Sequence, residues 1–202
     1  DHEIVPDTYF CGGAARMDGY PMNRSPAPAH SPARYEGWPY MIVEAADASS
    51  LPPGVDAAAH TPQAVVARMK AEGAICAKTF FERGFGSEQN LPVPTLESIR
   101  ALVRAAHAAG LPVLLHANSS EAQTFGLDAG VDIIAHGLWV WNQNASGIEL
   151  TPSVKHILDR VVQQNVGWQP TIQVVYGFRD LLLTSFLSDP MLPTVFPRSL
   201  ID

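Results

Sequence analysis

From Thr61 onward the apolar positions follow two periods in alternation. Thr61-Pro62 sets an N-cap before a proline at the first helical position. Val65, Val66 and Met69 then mark one helical face, and Gly73 stands where that helix stops. An apolar run over 74–81 follows and predicts a buried strand. Thr95 caps a second helix, with Leu96, Ile99, Leu102, Val103 and Ala106 at helical spacing and Gly110 at its end. Residues 112–116 predict a short apolar strand. Asn118 and Glu121 have the spacing of a capping box, opening a helix that runs to Gly130. A strand is predicted over 131–136. Thr151-Pro152 repeats the cap-plus-proline start, with Val154, Ile157, Leu158 and Val161 on one face, and 167–174 predicts a further strand. Residues 9–12 and 40–43 read as short additional strands. Short strands, apolar on both faces and alternating with helices, imply a parallel sheet covered by helices. A closed (β/α) barrel and an open doubly wound sheet both satisfy this pattern.

The first third of the chain departs from it. Residues 21–60 hold Pro21, Pro26, Pro28, Pro32, Pro39, Pro52 and Pro53. Such a stretch makes poor helix and poor central strand. It reads as a long excursion or lid from a single domain spanning 1–202. Tyr35, Trp38 and Tyr40 make it too apolar for a purely solvated linker.

Composition narrows the function. The chain has 202 residues, 47% apolar and 16% charged, enough for a sizeable core. Its net charge of −7, with no lysine–arginine run, argues against nucleic acid as a partner. No stretch approaches the ~18 consecutive apolar residues of a membrane span, so no membrane partner is expected. Cys11 and Cys76 are too few for a disulfide-dense scaffold or a four-cysteine zinc site, and are expected to be buried free thiols. No G-x-G-x-x-G follows a predicted strand, and no lysine–threonine pair follows Gly84-Phe85-Gly86. Dinucleotide and phosphate loops are therefore unsupported. The chain opens on Asp1, with no visible signal peptide, and closes without a stop signal at Asp202, so it reads as processed or as a piece of a longer protein.

Candidate chemistry lies at the strand ends. His116 and His136 each end a predicted strand, and Lys78 lies late in 74–81. Strand alternation puts Lys78 on one face with Ala74, Cys76 and Phe80, and Ile75, Ala77 and Thr79 on the helix-covered face. In parallel (β/α) folds the chemistry gathers at the carboxyl ends of strands. A lone strand-end histidine is usually a satisfied polar residue, but two at equivalent ends of consecutive strands point to metal binding. A lysine on an apolar strand either snorkels, pairs with an acid, or joins a metal site as a neutral amine or a carbamate. His107 and His156 lie within helices and read as structural or solvated. His2, His30 and His60 carry no signal. Trp139 and Trp141 follow His136, and Trp139 is a candidate wall of a substrate pocket.

Residues 73–78 (Gly-Ala-Ile-Cys-Ala-Lys), 111–117 (Leu-Pro-Val-Leu-Leu-His-Ala) and 129–137 (Ala-Gly-Val-Asp-Ile-Ile-Ala-His-Gly) together resemble consecutive pieces of the metal-dependent amidohydrolase superfamily, in its imidazolonepropionase-like and prolidase-like branch. Pro170-Thr171-Ile172 resembles the strand that follows. The resemblance covers about 61–175, and 9–20 more weakly. It implies a (β/α)8 TIM-type barrel with one or two divalent metals, zinc being the expected ion. His116 and His136 would be ligands from the fifth and sixth strands, and Lys78 the fourth-strand lysine, carboxylated in binuclear members. The family also needs a His-x-His pair from its first strand and an aspartate ending its eighth. This chain has no His-x-His, and Asp180, Asp189 and Asp202 follow no convincing later strand. Its length falls short of the ~250 residues typical of the barrel. The expectation is a partial barrel holding about strands three to seven.

The leading reading is therefore a fragment of a metal-dependent hydrolase that cuts an amide, peptide or cyclic amide C–N bond of a small-molecule substrate, inactive as this chain alone. The alternative is a non-catalytic, barrel-derived scaffold or binding domain, and a deaminase of the same superfamily is a third possibility. Open sheet edges predict association with itself or with the missing barrel segments.

Overall fold

The computed structural model describes residues 7–28, 30–85, 90–139, 149–172, 174, 176–177, 183 and 188–200. His2, Trp141, Asp180 and Asp202 fall outside them. The chain divides into two compact units, with the boundary after Gln169.

The first unit is built on six described parallel strands: β1 (Cys11–Arg16), β2 (Met41–Ile42), β3 (Cys76–Phe80), β4 (Val113–His116), β5 (Ile133–Ala135) and β6 (Gly167–Gln169). Their spatial order is β2-β1-β3-β4-β5-β6. The architecture is thus α/β with a parallel sheet, consistent with part of a TIM-type barrel. The last predicted strand is shorter than 167–174: it stops at Gln169, and Ile172 is already helical.

Four helices cover one face: α2 (Pro62–Ala71), α3 (Leu96–Ala108), α4 (Ser120–Ala129) and α5 (Pro152–Gln163), numbered after a short α1 (Pro32–Gly37). Thr61, Thr95 and Thr151 cap α2, α3 and α5 through their hydroxyls. The cap of α4 is Ser119, whose Oγ accepts from Ala122 N at 3.1 Å. Asn118 does not form the predicted capping box, because its side-chain amide is taken by a buried carboxylate described below. Gly130 ends α4 at φ +80°, a conformation costly to a residue with a Cβ.

The core lies between these helices and the sheet. Ala14, Ala77, Val113, Leu115 and Ile134 point into it and are buried. Residues on the opposite face, such as Lys78, Leu114 and Ile133, are only partly covered. Ile75 is 51% exposed rather than packed on the helices, since β3 begins one residue later.

The proline-rich stretch is ordered. It forms 3-10 turns at Met22–Arg24, Ala48–Ser50 and Ala57–His60, the helix α1 and strand β2. Met22, Tyr35 and Met41 pack with Ala15 and Met17 in a second apolar cluster. Polar anchors fasten the stretch to β1 and to the start of α3. The Arg16 guanidinium donates to the Asp47 carboxylate at 3.1–3.3 Å, and Glu44 Oε1 accepts from Thr95 N at 2.7 Å. Strand β2 lies along the outer edge of β1, where Ala15 is paired with Met41.

The cysteines are not free thiols. Cys11 and Cys76 are register partners on β1 and β3, 4.5 Å apart at Cα, and form a disulfide. The sequence contains the two residues but not the pairing of their strands, which brings them within disulfide reach. The second unit holds a short helix, Leu192–Val195, and a 3-10 turn, Arg198–Leu200. No described helix is long and apolar enough to cross a membrane.

Candidate active site

The register carries the strand-end residues to one rim. Phe80 of β3 stands beside His116 of β4, and His116 beside Ala135 of β5, so His136 follows at the same end. The two imidazoles meet with centroids 4.7 Å apart at 71°. Lys78 lies two residues before Phe80 on the same face, its ammonium 5.9 Å from the Phe80 ring. Lys78 lines a cavity of about 420 Å³ with Gly13, Trp38, Tyr40 and Phe80. Space at Gly13 is tight: a Cβ would stand 3.2 Å from the Trp38 ring, whose Nε1 donates to Gly13 O at 2.7 Å.

The backbone at His136 is held from three sides. Its N–H donates to Gln169 O at 2.7 Å, and its carbonyl accepts from Trp168 Nε1 at 3.0 Å and from Gln123 Nε2 at 3.5 Å. These contacts hold φ at +81°, a region that costs a β-substituted residue of order 1–3 kcal/mol. Trp139, placed by its N–H to Asn118 O at 2.8 Å, sets its ring 5.2 Å from His136. Tyr20 and Phe85 complete an aromatic collar, with ring centroids 5.0 and 6.0 Å from His116.

Glu82, which the sequence reading missed, organises the floor of this rim. It is 6% exposed. Its Oε2 contacts His116 Nε2 at 3.0 Å and accepts from Asn118 Nδ2 at 2.8 Å, while Oε1 accepts from Gly84 N at 2.8 Å. Burial alone would raise the carboxyl. The His116 hydrogen bond, the Gly84 N–H, the His116 charge and the Asn118 amide together hold it below the usual range. A carboxylate just past the end of β3, on the same rim as two histidines, was the available signal.

The other ionisable groups are tuned by burial. Burial, then the proximity of His116 and Lys78, pushes His136 down to about 4 against the opposing pull of Glu82. Its imidazole is therefore neutral at pH 7. Burial pushes Lys78 down to about 8. A neutral imidazole at His136 and a lysine that deprotonates easily are donor chemistry suited to a divalent metal. The number of donors is short: among the described residues no three His, Cys, Asp or Glu side chains are placed to hold one ion. Three other described histidines pair elsewhere. His60 Nδ1 contacts Met41 O at 2.8 Å, His107 Nε2 contacts Asp132 at 2.8 Å, and His30 Nε2 contacts Asp18 at 3.2 Å.

No family model and no curated protein matches the sequence. Solved structures do match in fold. A Xaa-Pro dipeptidase with methionine bound in its active site superposes with a TM-score of 0.50 at 21% identity, covering 80% of this chain and 34% of that one. An amidohydrolase gives a TM-score of 0.54 at 18% identity, covering 79% of this chain and 34% of that one. A prolidase complexed with N-methylphosphonate-L-proline gives 0.53 at 18% identity with the same coverage. The resemblance read from residues 73–78, 111–117 and 129–137 thus has a counterpart in three dimensions. The chain has the fold of prolidase and amidohydrolase structures and spans about a third of their length.

Proposed function

We propose that this chain is the central part, about strands three to seven, of a metal-dependent hydrolase acting on amide, peptide or cyclic amide C–N bonds. The single partial barrel would span 1–202, with the stretch 21–60 as its excursion. One or two zinc ions would be held by His116, His136 and a carboxylated Lys78, together with ligands from outside this chain. The observation that carries the reading is the pair of imidazoles 4.7 Å apart at the ends of adjacent strands.

Each residue then has a task. The Glu82 carboxylate accepts the Nε2 hydrogen of His116, which fixes the tautomer and leaves Nδ1 as the donor nitrogen. His136 stays neutral because it is buried, so its lone pair needs no deprotonation near pH 7. Lys78 offers a neutral amine more readily than an exposed lysine, which is the form that takes up carbon dioxide. Trp139, its ring 5.2 Å from His136, would face a small amide or peptide substrate at this rim, and Tyr20 and Phe85 pack around His116. A divalent metal held here supplies a lowered pKa for its water and a polarised substrate carbonyl.

The test is made on the product of the complete reading frame. His136→Ala should reduce zinc content and amide hydrolysis together, the latter by at least about 100-fold. The 202-residue chain should show no turnover with added zinc. An unchanged zinc content in the variant would reject the assignment. The shortage of donors among the described residues favours a second reading, a barrel-derived scaffold without metal chemistry. That reading predicts no zinc in the full-length protein.

A further inference from the structure

Helix α4 connects β4 to β5, and its first turn carries Gln123, which is fully buried. The Gln123 amide turns back toward the two strand ends. Its Nε2 donates to Ala117 O at 3.1 Å and to His136 O at 3.5 Å. Ala117 directly follows His116, so one side chain links the backbone just past one imidazole to the backbone of the other. The orientation of the amide follows from its partners. Rotated by half a turn, its oxygen would face two carbonyls with no hydrogen between them. As it stands, Oε1 is buried and has no hydrogen-bond partner among the described residues. An unpartnered buried amide oxygen destabilises a fold. A methionine of about the same volume would carry no such cost, so packing alone does not account for an amide at this position.

We propose that Gln123 is a positioning residue: by tying Ala117 to His136 it sets where the two imidazoles stand relative to each other, for a divalent cation they share. The shared cation rests on the hydrolase reading above, whereas the tie between the strand ends does not. The His136 carbonyl has one other described donor, Trp168 Nε1 at 3.0 Å. With Gln123 removed, the backbone of His136 loses one of the contacts that hold it at φ +81° and relaxes toward an ordinary conformation. Its ring then turns away from His116, which it meets at 4.7 Å between centroids. A metal site tolerates little of such movement, because its ligands must be held in place by the shell behind them.

Gln123→Met keeps the volume and removes both donations. In the 202-residue chain, proton NMR should show the cross-relaxation between the His116 and His136 rings lost in the folded variant. In the product of the complete reading frame, the same substitution should weaken zinc binding about tenfold. Rings that keep their contact, an unchanged zinc affinity, or a lower denaturant midpoint as the only change would each overturn the proposal, the last by leaving Gln123 a purely structural role. If the unaltered full-length protein binds no zinc, the hydrolase reading fails, and the ring measurement on the 202-residue chain still judges Gln123. Should the methionine variant not fold, the unaltered chain decides through NMR couplings across the hydrogen bonds from Gln123 Nε2. Couplings to the carbonyl carbons of both Ala117 and His136 are expected, and a coupling to Ala117 alone would remove the tie.

Discussion

Glu82 shows how much one side chain does at the rim. Three donors converge on its carboxylate, from His116, Asn118 and Gly84, in a place closed to water. Replacing Glu82 with Leu would leave those groups unsatisfied and should cost about 3 kcal/mol, read as a lower denaturant midpoint. Glu82→Gln keeps the shape and part of the bonding and should cost about 1 kcal/mol. A Leu variant as stable as the original chain would show that the carboxylate is not what holds this floor. Lys78, His116 and His136 were legible because alternation and strand ends can be counted along a chain. Glu82 was not, because its partners are chosen by the register of β3 against β4. Gln123 was equally hidden, since only packing shows which carbonyls its buried amide reaches.

Among the elements, helices were read more surely than strand ends. The threonine caps of α2, α3 and α5 are local, made by a side chain and a backbone N–H three residues on. At α4 the cap moved to Ser119, because Glu82 claims Asn118. Glu121, the other half of the predicted box, instead meets Arg83 in a two-pronged contact of 2.8–3.2 Å. That pair ties the segment after β3 to the first turn of α4. The Arg83 hydrogen bond holds the Glu121 carboxyl below its usual range. The folded pKa is therefore the lower one, so the contribution is complete above the unfolded value and is lost as pH falls through the folded one. Both groups are about half exposed, so the effect is expected to stay below about 1 kcal/mol. Arg83→Ala should match the original chain in acid and fall slightly below it above about pH 5, in paired unfolding curves. A gap that widens toward acid would contradict the sign.

At the scale of the molecule, the sheet is protected unequally. Its helix-facing side is closed, its other side is partly covered, and all three residues of β6 are exposed. Unpaired strand edges template further pairing. The chain is thus expected to sediment above its 21.8 kDa monomer mass, as copies of itself or with segments that complete the barrel. A stable monomer at high concentration would count against this. At the opposite edge the situation is different, because β2 from the proline-rich stretch lies along β1. That stretch read as an irregular excursion with one short strand at 40–43, where β2 (Met41–Ile42) is found, while its proline content masks the six-residue helix α1. Tertiary anchors such as Arg16–Asp47 and Glu44–Thr95 give it order that local propensity does not.

What the sequence determined by itself was short in range: the alternation of strand and helix, the threonine caps of α2, α3 and α5, and the placement of Lys78, His116 and His136 near strand ends. These follow from periods of two and 3.6 residues and from hydrogen bonds spanning three or four. The tertiary structure decided whatever depends on which strands become neighbours. It joined Cys11 to Cys76 across 65 residues, gave His136 its strained φ, brought Glu82 beneath His116, and laid Gln123 across the ends of β4 and β5. Register and packing are set by the collective burial of the core, and a contact between distant residues carries no periodic mark in the chain that makes it.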